Sequence, residues 1–168
     1  MRSAAPSLLA IAALVAFLCP ALAGAGAAKA ELDAIAIEKA WTRATPQGAK
    51  VAAGYLTIRN EGGEPDRLVG ARADFAGKTE LHLMNMVDGI VRMRPVNDGL
   101  PIPGNSAVTL QPNGYHLMFM ELTQPFAEGE TVSGTLSFER AGEVAVSFQV
   151  MGLGAPGPDA ETGQHQHH

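Results

Sequence analysis

The chain has 168 residues, of which 46% are hydrophobic, 17% charged and 5% aromatic, and its formal net charge is −5. This length favours one domain with short appendages and excludes two large domains. The acidic balance argues against nucleic acid as a partner, because phosphate backbones are recognised by basic surfaces.

Residues 1–30 contain no acidic side chain and are interpreted as a secretory signal peptide. An apolar run extends from Leu8 to Leu18, and several A-x-A motifs, which are typical cleavage sites, follow it. They place cleavage between about residues 23 and 30. The run is too short for a membrane helix, which needs about 20 residues. We therefore expect an exported protein with no transmembrane segment in its mature form.

Cys19 is the only cysteine of the chain and allows a second interpretation of the leader. A lipoprotein signal would place its modified cysteine late in the apolar run, but the residue before Cys19 is Leu18 rather than a small residue. Removal of the signal peptide also removes this thiol. We therefore expect a mature chain without a disulfide and without a thiolate ligand.

From Ile35 onward, apolar runs rich in Val, Leu, Ile, Thr and Phe alternate with clusters of Gly, Pro, Asn and Asp. No window shows a sustained helical period, so the pattern predicts an all-β domain over residues 31–151. Nine short strands suggest an antiparallel, Ig-like Greek-key β-sandwich. The predicted strands span residues 35–43, 50–60, 66–72, 79–86, 90–95, 106–110, 115–121, 131–139 and 143–150.

The composition changes after the last predicted strand. Residues 152–168 are rich in Gly, Pro and polar residues, which predicts a flexible tail. Three of the five histidines of the chain lie in its last four residues, namely His165, His167 and His168. Short histidine tracts outside the cytoplasm are candidate metal-binding segments.

Histidine and methionine alternate with apolar residues in two predicted strands. Because neighbouring residues of a strand point to opposite faces, the first strand groups His82, Met84 and Met86 on one face. No acidic residue is expected close to either histidine of the domain. The second strand groups three further residues on the face opposite its core residues, namely His116, Met118 and Met120.

In the sequence, Met93 lies between these two strands. Its side chain is expected on the opposite face of its own strand from those of its neighbours Arg92 and Arg94. Together these positions hold both histidines of the domain and five of the six methionines that follow Met1. Methionine is ordinarily a core residue, but its repeated pairing with histidine at one phase is hard to attribute to core filling.

Thioether sulfur is soft and neutral, and together with imidazole it makes a site suited to Cu(I). Zn(II) prefers thiolate, imidazole or carboxylate, and Ca(II) and Mg(II) need oxygen. A blue-copper centre needs a cysteine ligand, which the mature chain lacks. We predict four Cu(I) ligands, His82, Met93, His116 and Met118, with a hairpin turn at Asp88-Gly89. The other three methionines have three alternative roles, as reserve ligands, as a hydrophobic rim for docking, or as ordinary packing residues. These methionines are Met84, Met86 and Met120.

These residues resemble the motif of the PCuAC family of periplasmic copper chaperones, which is a His, ten residues, a Met, just over twenty residues, and His-x-Met. His82 and Met93 enclose ten residues, Met93 and His116 enclose twenty-two, and His116-Leu117-Met118 completes the pattern. The resemblance covers about residues 35–150. It extends to flanking segments at residues 40–43, 53–58, 93–95, 114–118 and 142–144.

The resemblance implies a cupredoxin-like β-sandwich with one Cu(I) at a shallow, exposed site. It also implies delivery of copper to the dinuclear centre of cytochrome c oxidase, or cooperation with a thiol-bearing assembly factor. Some relatives have His- and Met-rich C-terminal extensions that take Cu(II), and His165, His167 and His168 resemble a short version of one.

The same residues are also compatible with other functions. Copper sequestration without a dedicated acceptor is the nearest alternative, and an adhesion or structural sandwich with a methionine surface is a second. A copper enzyme or redox protein is disfavoured, because the domain offers no cysteine ligand, no third histidine and no acid–base pair. We expect a monomer that is not an enzyme.

Overall fold

The computed structural model describes residues 34–158, which form ten strands. The predicted signal peptide, Cys19 and the tail histidines His165, His167 and His168 lie outside this range. No helix in the described range is long and apolar enough to span a membrane. The strands are β1 (Ile35–Arg43), β2 (Val51–Asn60), β3 (Asp66–Ala73), β4 (Ala76–Val87), β5 (Ile90–Pro95), β6 (Leu100–Ile102), β7 (Ser106–Leu110), β8 (Tyr115–Leu122), β9 (Thr131–Phe138) and β10 (Gly142–Met151).

Nine of these strands are the predicted ones, with every end within three residues of its expected position. The additional strand, β6, has three residues and Pro101 at its centre. Proline lacks a backbone N–H, so a sequence pattern that contains it argues against a strand. β6 pairs only with β3 and lies at the edge of the sheet, where proline is tolerated.

The hydrogen-bonded strands follow the order β5-β4-β8-β2-β1-β10-β9-β3-β6, and β7 pairs with the second half of β2. Within residues 34–158 all pairs are antiparallel except β1 with β10, which run parallel. The sheet folds back on itself, so that Phe119 of β8 packs edge-on against Phe148 of β10 with ring centroids 5.4 Å apart. The predicted all-β sandwich is confirmed, with this one parallel pair added.

An aromatic cluster occupies the core between the two layers. The ring of Phe75 lies 5.0 Å from those of Phe119 and Phe126, in both cases edge to face. Leu117 and Phe119 alternate along β8 and are both buried, and burial of each such side chain contributes about 1.5–3 kcal/mol. The core therefore fixes the phase of β8 and turns His116, Met118 and Met120 to the opposite face.

The hairpin of β4 and β5 has a two-residue turn at Asp88-Gly89. Val87 pairs directly with Ile90, and both turn residues have positive φ, 52° for Asp88 and 77° for Gly89. Positive φ at both positions is typical of a type I′ turn, whose twist matches that of the two strands. The predicted turn is therefore present. Every residue of β5 is exposed, since β5 is the other edge of the sheet.

Candidate metal centre

Two histidines meet across the pair of β4 and β8. His82 lies directly opposite His116 in the register of these strands. Their ring centroids are 6.0 Å apart, and the ring planes are inclined by 57°. A bond from a metal ion to an imidazole nitrogen is about 2 Å long. Two rings at this separation are close enough to share one ion.

Methionines lie on both sides of this histidine pair and on the same face. Met84 follows two residues after His82 and lies directly opposite Met93 of β5. Met118 follows two residues after His116 and lies opposite Glu80 of β4. Because β4 and β8 are antiparallel, Met93 and Met118 flank the pair from opposite directions. The structure thus brings all four predicted ligand residues to neighbouring positions on one face.

The three methionines left open by the sequence occupy different places. Met84 lies beside the histidine pair, opposite Met93. Met86 lies two residues closer to the hairpin turn, opposite Val91, and is 70% exposed. Met120 lies two residues beyond Met118, opposite Lys78 of β4, and is the farthest along β8 from the histidines. Met84 and Met86 therefore belong to the hairpin, and Met120 does not.

Glu80 is a site residue that the sequence analysis did not anticipate. Its Oε2 lies 2.9 Å from Nε2 of His82, and its Oε1 lies 2.5 Å from Nζ of Lys78. The expectation that no acidic residue stands close to either histidine is therefore wrong. Residues two apart in a strand share a face, so the alternation that grouped His82 with Met84 also places Glu80 beside it. The Lys78 ammonium, and after it His82, hold the pKa of Glu80 below its usual value.

The hydrogen bonds of the two rings leave one nitrogen of each available to a metal. Nδ1 of His116 is 3.1 Å from the Gly114 carbonyl and donates to it, so its Nε2 carries the lone pair in the neutral ring. In His82, Nε2–H donates to Glu80, which leaves the lone pair on Nδ1. That Nδ1 is buried and has no hydrogen-bond partner. A buried, unpaired acceptor of this kind is consistent with a metal-ligand position.

His116 is suited to metal binding in its protonation state as well. Its side chain is buried, with 3% of the residue exposed. Burial lowers the pKa of His116 below its ordinary value, and the positive charge of His82 acts in the same direction, whereas the hydrogen bond to Gly114 opposes both. A lowered pKa keeps the imidazole neutral, which is the form that binds a metal ion.

Two aromatic rings border the site on the side of β1 and β2. Tyr55 lies 6.5 Å from His116 between ring centroids, and Trp41 stacks on Tyr55 at 4.5 Å. The Arg43 guanidinium lies over both rings, and its Nε donates to the Ala155 carbonyl at 2.8 Å. The segment that follows β10 therefore lies against this aromatic pair.

The donor set available in the described part of the chain is mixed nitrogen and sulfur. Within residues 34–158, no three His, Cys, Asp or Glu side chains lie close enough together to hold a metal ion. On this face, the side chains beside the histidine pair that can supply further soft ligands are the methionines. Thioether ligands select soft, low-charge ions, and Cu(I) is the common biological example.

The fold and this face define a β-sandwich with histidine and methionine at the base of a projecting hairpin. Residues 35–150 match the family described as "Putative lipoprotein LpqE-like", and the chain belongs to this family. "Putative lipoprotein Lxx21020" of Leifsonia xyli subsp. xyli (strain CTCB07) is 30% identical over 120 residues, which are 71% of each chain.

Solved structures of similar fold include PCuAC domains. The copper-bound PCuAC domain from PmoF2 has a TM-score of 0.59 and 28% identity, covering 71% of this chain and 93% of that chain. The solution structure of CuI-DR1885 from Deinococcus radiodurans has a TM-score of 0.56 and 32% identity, covering 76% of this chain and 85% of that chain. The resemblance to PCuAC is supported by structural similarity, while the family description that matches the sequence is LpqE-like.

Proposed function

We propose that this protein is an exported copper chaperone that binds one Cu(I) ion through His82, Met93, His116 and Met118. The observation that carries the proposal is the direct pairing of His82 with His116, with ring centroids 6.0 Å apart, on a face that also holds methionines. The similarity to a copper-bound PCuAC domain and to CuI-DR1885 supports the same ion.

The ligand set explains how such a protein would hold copper and still release it. Neutral thioethers are weaker Cu(I) ligands than thiolates, so an acceptor cysteine can displace one methionine at a time. Met93 is the natural first ligand to leave, because it lies on the edge strand β5 and is 43% exposed. The buried His116 would leave last. No catalytic role is assigned to any of these residues.

The acceptor in this proposal is the copper centre of cytochrome c oxidase or a thiol-bearing assembly factor. Support comes from the exposed apolar side chains on the methionine face of the hairpin, where Met86 is 70% and Val91 55% exposed. Apolar groups exposed together are typical of protein contact surfaces. Sequestration without an acceptor is the alternative. Mixing the Cu(I)-loaded protein with a soluble oxidase copper domain distinguishes the two, because a chaperone loses its copper to that domain and a sequestering protein retains it.

We propose export to the periplasm, with the signal peptide removed between about residues 23 and 30. The description of the matching family and of the Leifsonia relative as lipoproteins supports export and also favours the alternative at Cys19. Mass spectrometry of the mature protein separates these outcomes, since a lipoprotein would begin at a modified Cys19.

A Cu(II) site at His165, His167 and His168 is also a proposal, and truncation after Gly157 should abolish Cu(II) uptake while leaving Cu(I) uptake intact.

Competition with a colorimetric Cu(I) chelator tests the four-ligand site. His116→Ala and Met118→Leu should each lower the Cu(I) affinity at least tenfold, about 1.4 kcal/mol or more. Met120→Leu is the matched control, since Met120 is on the same strand and face but lies opposite Lys78, away from the histidines. Unchanged affinity in both ligand variants would remove the proposed site.

A further inference from the structure

We propose that the β4–β5 hairpin carries a second Cu(I) site, formed by the thioethers of Met84, Met86 and Met93 and called here the outer site. It lies between the histidine pair and the hairpin turn. The proposal rests on the copper chemistry proposed above, because Met93 is common to both sites. It assigns a role to two methionines that the four-ligand site does not use.

The strand register groups the three side chains. Met84 and Met93 are directly opposed across β4 and β5, and Met86 is the next residue of β4 on the same face. Directly opposed residues have Cβ atoms about 4.5–5.5 Å apart, and diagonal neighbours about 7–8 Å. Methionine is unbranched and has three rotatable bonds, so side chains at these spacings can converge on one ion.

Core packing does not account for Met86 and Met93, and Met84 beside them is half-buried. Met86 is 70% and Met93 43% exposed, and neither belongs to the hydrophobic core. Val91, opposite Met86, is 55% exposed as well. A methionine that fills a core gap would be covered on all sides. The thioethers of Met86 and Met93 are therefore presented at the surface, where they are accessible to a ligand.

The surroundings of the outer site favour a soft ion. Asn85 lies between Met84 and Met86 in the strand and therefore on the opposite face, and Arg92 and Arg94 flank Met93 in the same way. The face between His82 and the turn therefore offers sulfur without carboxylate, amide or imidazole groups. Such a donor set selects Cu(I) over Zn(II) and Cu(II).

The shared residue gives the outer site a role in copper transfer. The inner site is the four-ligand site proposed above. When it is empty, an ion bound to Met84, Met86 and Met93 reaches it as His82, His116 and Met118 replace Met84 and Met86, while Met93 stays bound. Copper remains Cu(I) throughout, so the exchange needs no electron donor or acceptor. The outer site has no nitrogen ligand and faces solvent, so at equilibrium it fills second. When both sites are filled, Met93 stays with the inner ion, and Met84 and Met86 hold the outer ion, which is the first to meet an acceptor.

Titration of the mature protein with Cu(I) under anaerobic conditions tests the outer site, with NMR of carbon-13-labelled methionine methyl groups as the readout. The first equivalent should shift the methyl signals of Met93 and Met118, and a second equivalent those of Met84 and Met86. Met84→Leu and Met86→Leu should each abolish the second equivalent and change the affinity for the first by less than about threefold. Met120→Leu should retain both equivalents.

A wild-type protein that binds one equivalent only, or whose second equivalent leaves the Met84 and Met86 signals unmoved, would overturn the outer site. Failure of the inner site has a different signature, because the first equivalent would then be insensitive to His82→Ala and His116→Ala. Leucine has nearly the volume of methionine, and Met84 is half-buried while Met86 is exposed, so the variants are expected to fold.

Discussion

His82 and His116 face each other directly across the β4–β8 pair, and Glu80 accepts a hydrogen bond from His82 on the same face. Both histidines depend on strand phase, because a slip of one residue would turn either ring into the core. The buried Leu117 and Phe119 prevent such a slip in β8. The core therefore determines which face of the sheet can bind metal.

Glu80 is expected to orient His82 as a ligand. Its carboxylate fixes the proton on Nε2 and leaves Nδ1 for copper, and partners of metal-bound histidines typically contribute a factor of 10–100 in metal affinity. Glu80→Ala should therefore lower the Cu(I) affinity about tenfold, and Glu80→Gln should restore part of it, since an amide oxygen still accepts from Nε2–H. Chelator competition measures both.

Glu121→Gln is the matched control for this prediction, since Glu121 is an exposed carboxylate of the adjacent strand β8. Equal Cu(I) affinities for wild type, Glu80→Ala and Glu121→Gln would show that the contact between Glu80 and His82 has no part in metal binding.

The type I′ turn of the hairpin predicts a specific effect of Gly89→Ala. Gly89 has a φ of 77° and no neighbouring atom within 4 Å of an added Cβ, so the substitution introduces backbone strain without a clash. This strain is about 1–2 kcal/mol. We expect a lower melting temperature together with weaker Cu(I) binding, because the turn sets the register of Met93.

Gly142→Ala provides the comparison, because Gly142 also has open space around it and a φ of 76°, but it is the first residue of β10, directly after the turn that joins β9 to β10. It should cost similar stability and leave the Cu(I) affinity unchanged. A copper affinity that falls equally in both variants would show that the hairpin turn does not position the metal site.

The lowered pKa of His116 predicts that acid destabilises the metal-free protein. Burial holds this pKa below its ordinary value of 6.5 in the folded state, so the unfolded chain binds the proton more readily. The stability contribution of neutral His116 is complete above about pH 6.5 and is lost as the pH falls toward the folded-state pKa. Melting temperatures from pH 5 to 8 should therefore fall more steeply with acidity in wild type than in His116→Leu. Parallel curves would contradict this.

Gly54 allows β2 to approach the core aromatics closely. A Cβ at this position would lie 2.7 Å from two ring carbons of Phe119 and 3.2 Å from the Phe148 ring. Overpacking of this kind usually costs about 1–3 kcal/mol. We expect Gly54→Ala to lower the free energy of unfolding by that amount in chemical denaturation, whereas Gly129→Ala, which meets no atom within 4 Å, should show only the backbone strain of its positive φ.

Most strands could be predicted because each is an apolar run bounded by turn residues. β6 could not, since Pro101 interrupts a run of only three residues. The parallel pairing of β1 with β10 and the opposition of His82 and His116 depend on strand order, which local sequence does not encode. That His82 and Met84 share one face could be predicted from strand alternation alone.

The contact between Glu80 and His82 was missed, although strand alternation places both residues on one face. Glu80 has the phase of His82, so its position beside the ring could have been predicted from the sequence. Its hydrogen bond could not, because the bond depends on the side-chain conformation and on Lys78 holding the other carboxylate oxygen. The exposure of Met86 and Met93 likewise required the knowledge that β5 is an edge strand.

X-ray absorption at the copper edge, on the mature protein loaded with one equivalent of Cu(I), counts the nitrogen and sulfur donors of the four-ligand site. We expect a four-coordinate ion with two nitrogen donors from His82 and His116 and two sulfur donors from Met93 and Met118. His116→Ala should lose one nitrogen, and Met118→Leu one sulfur. A first shell without sulfur, or one that neither variant changes, would show that copper is not bound by these four residues.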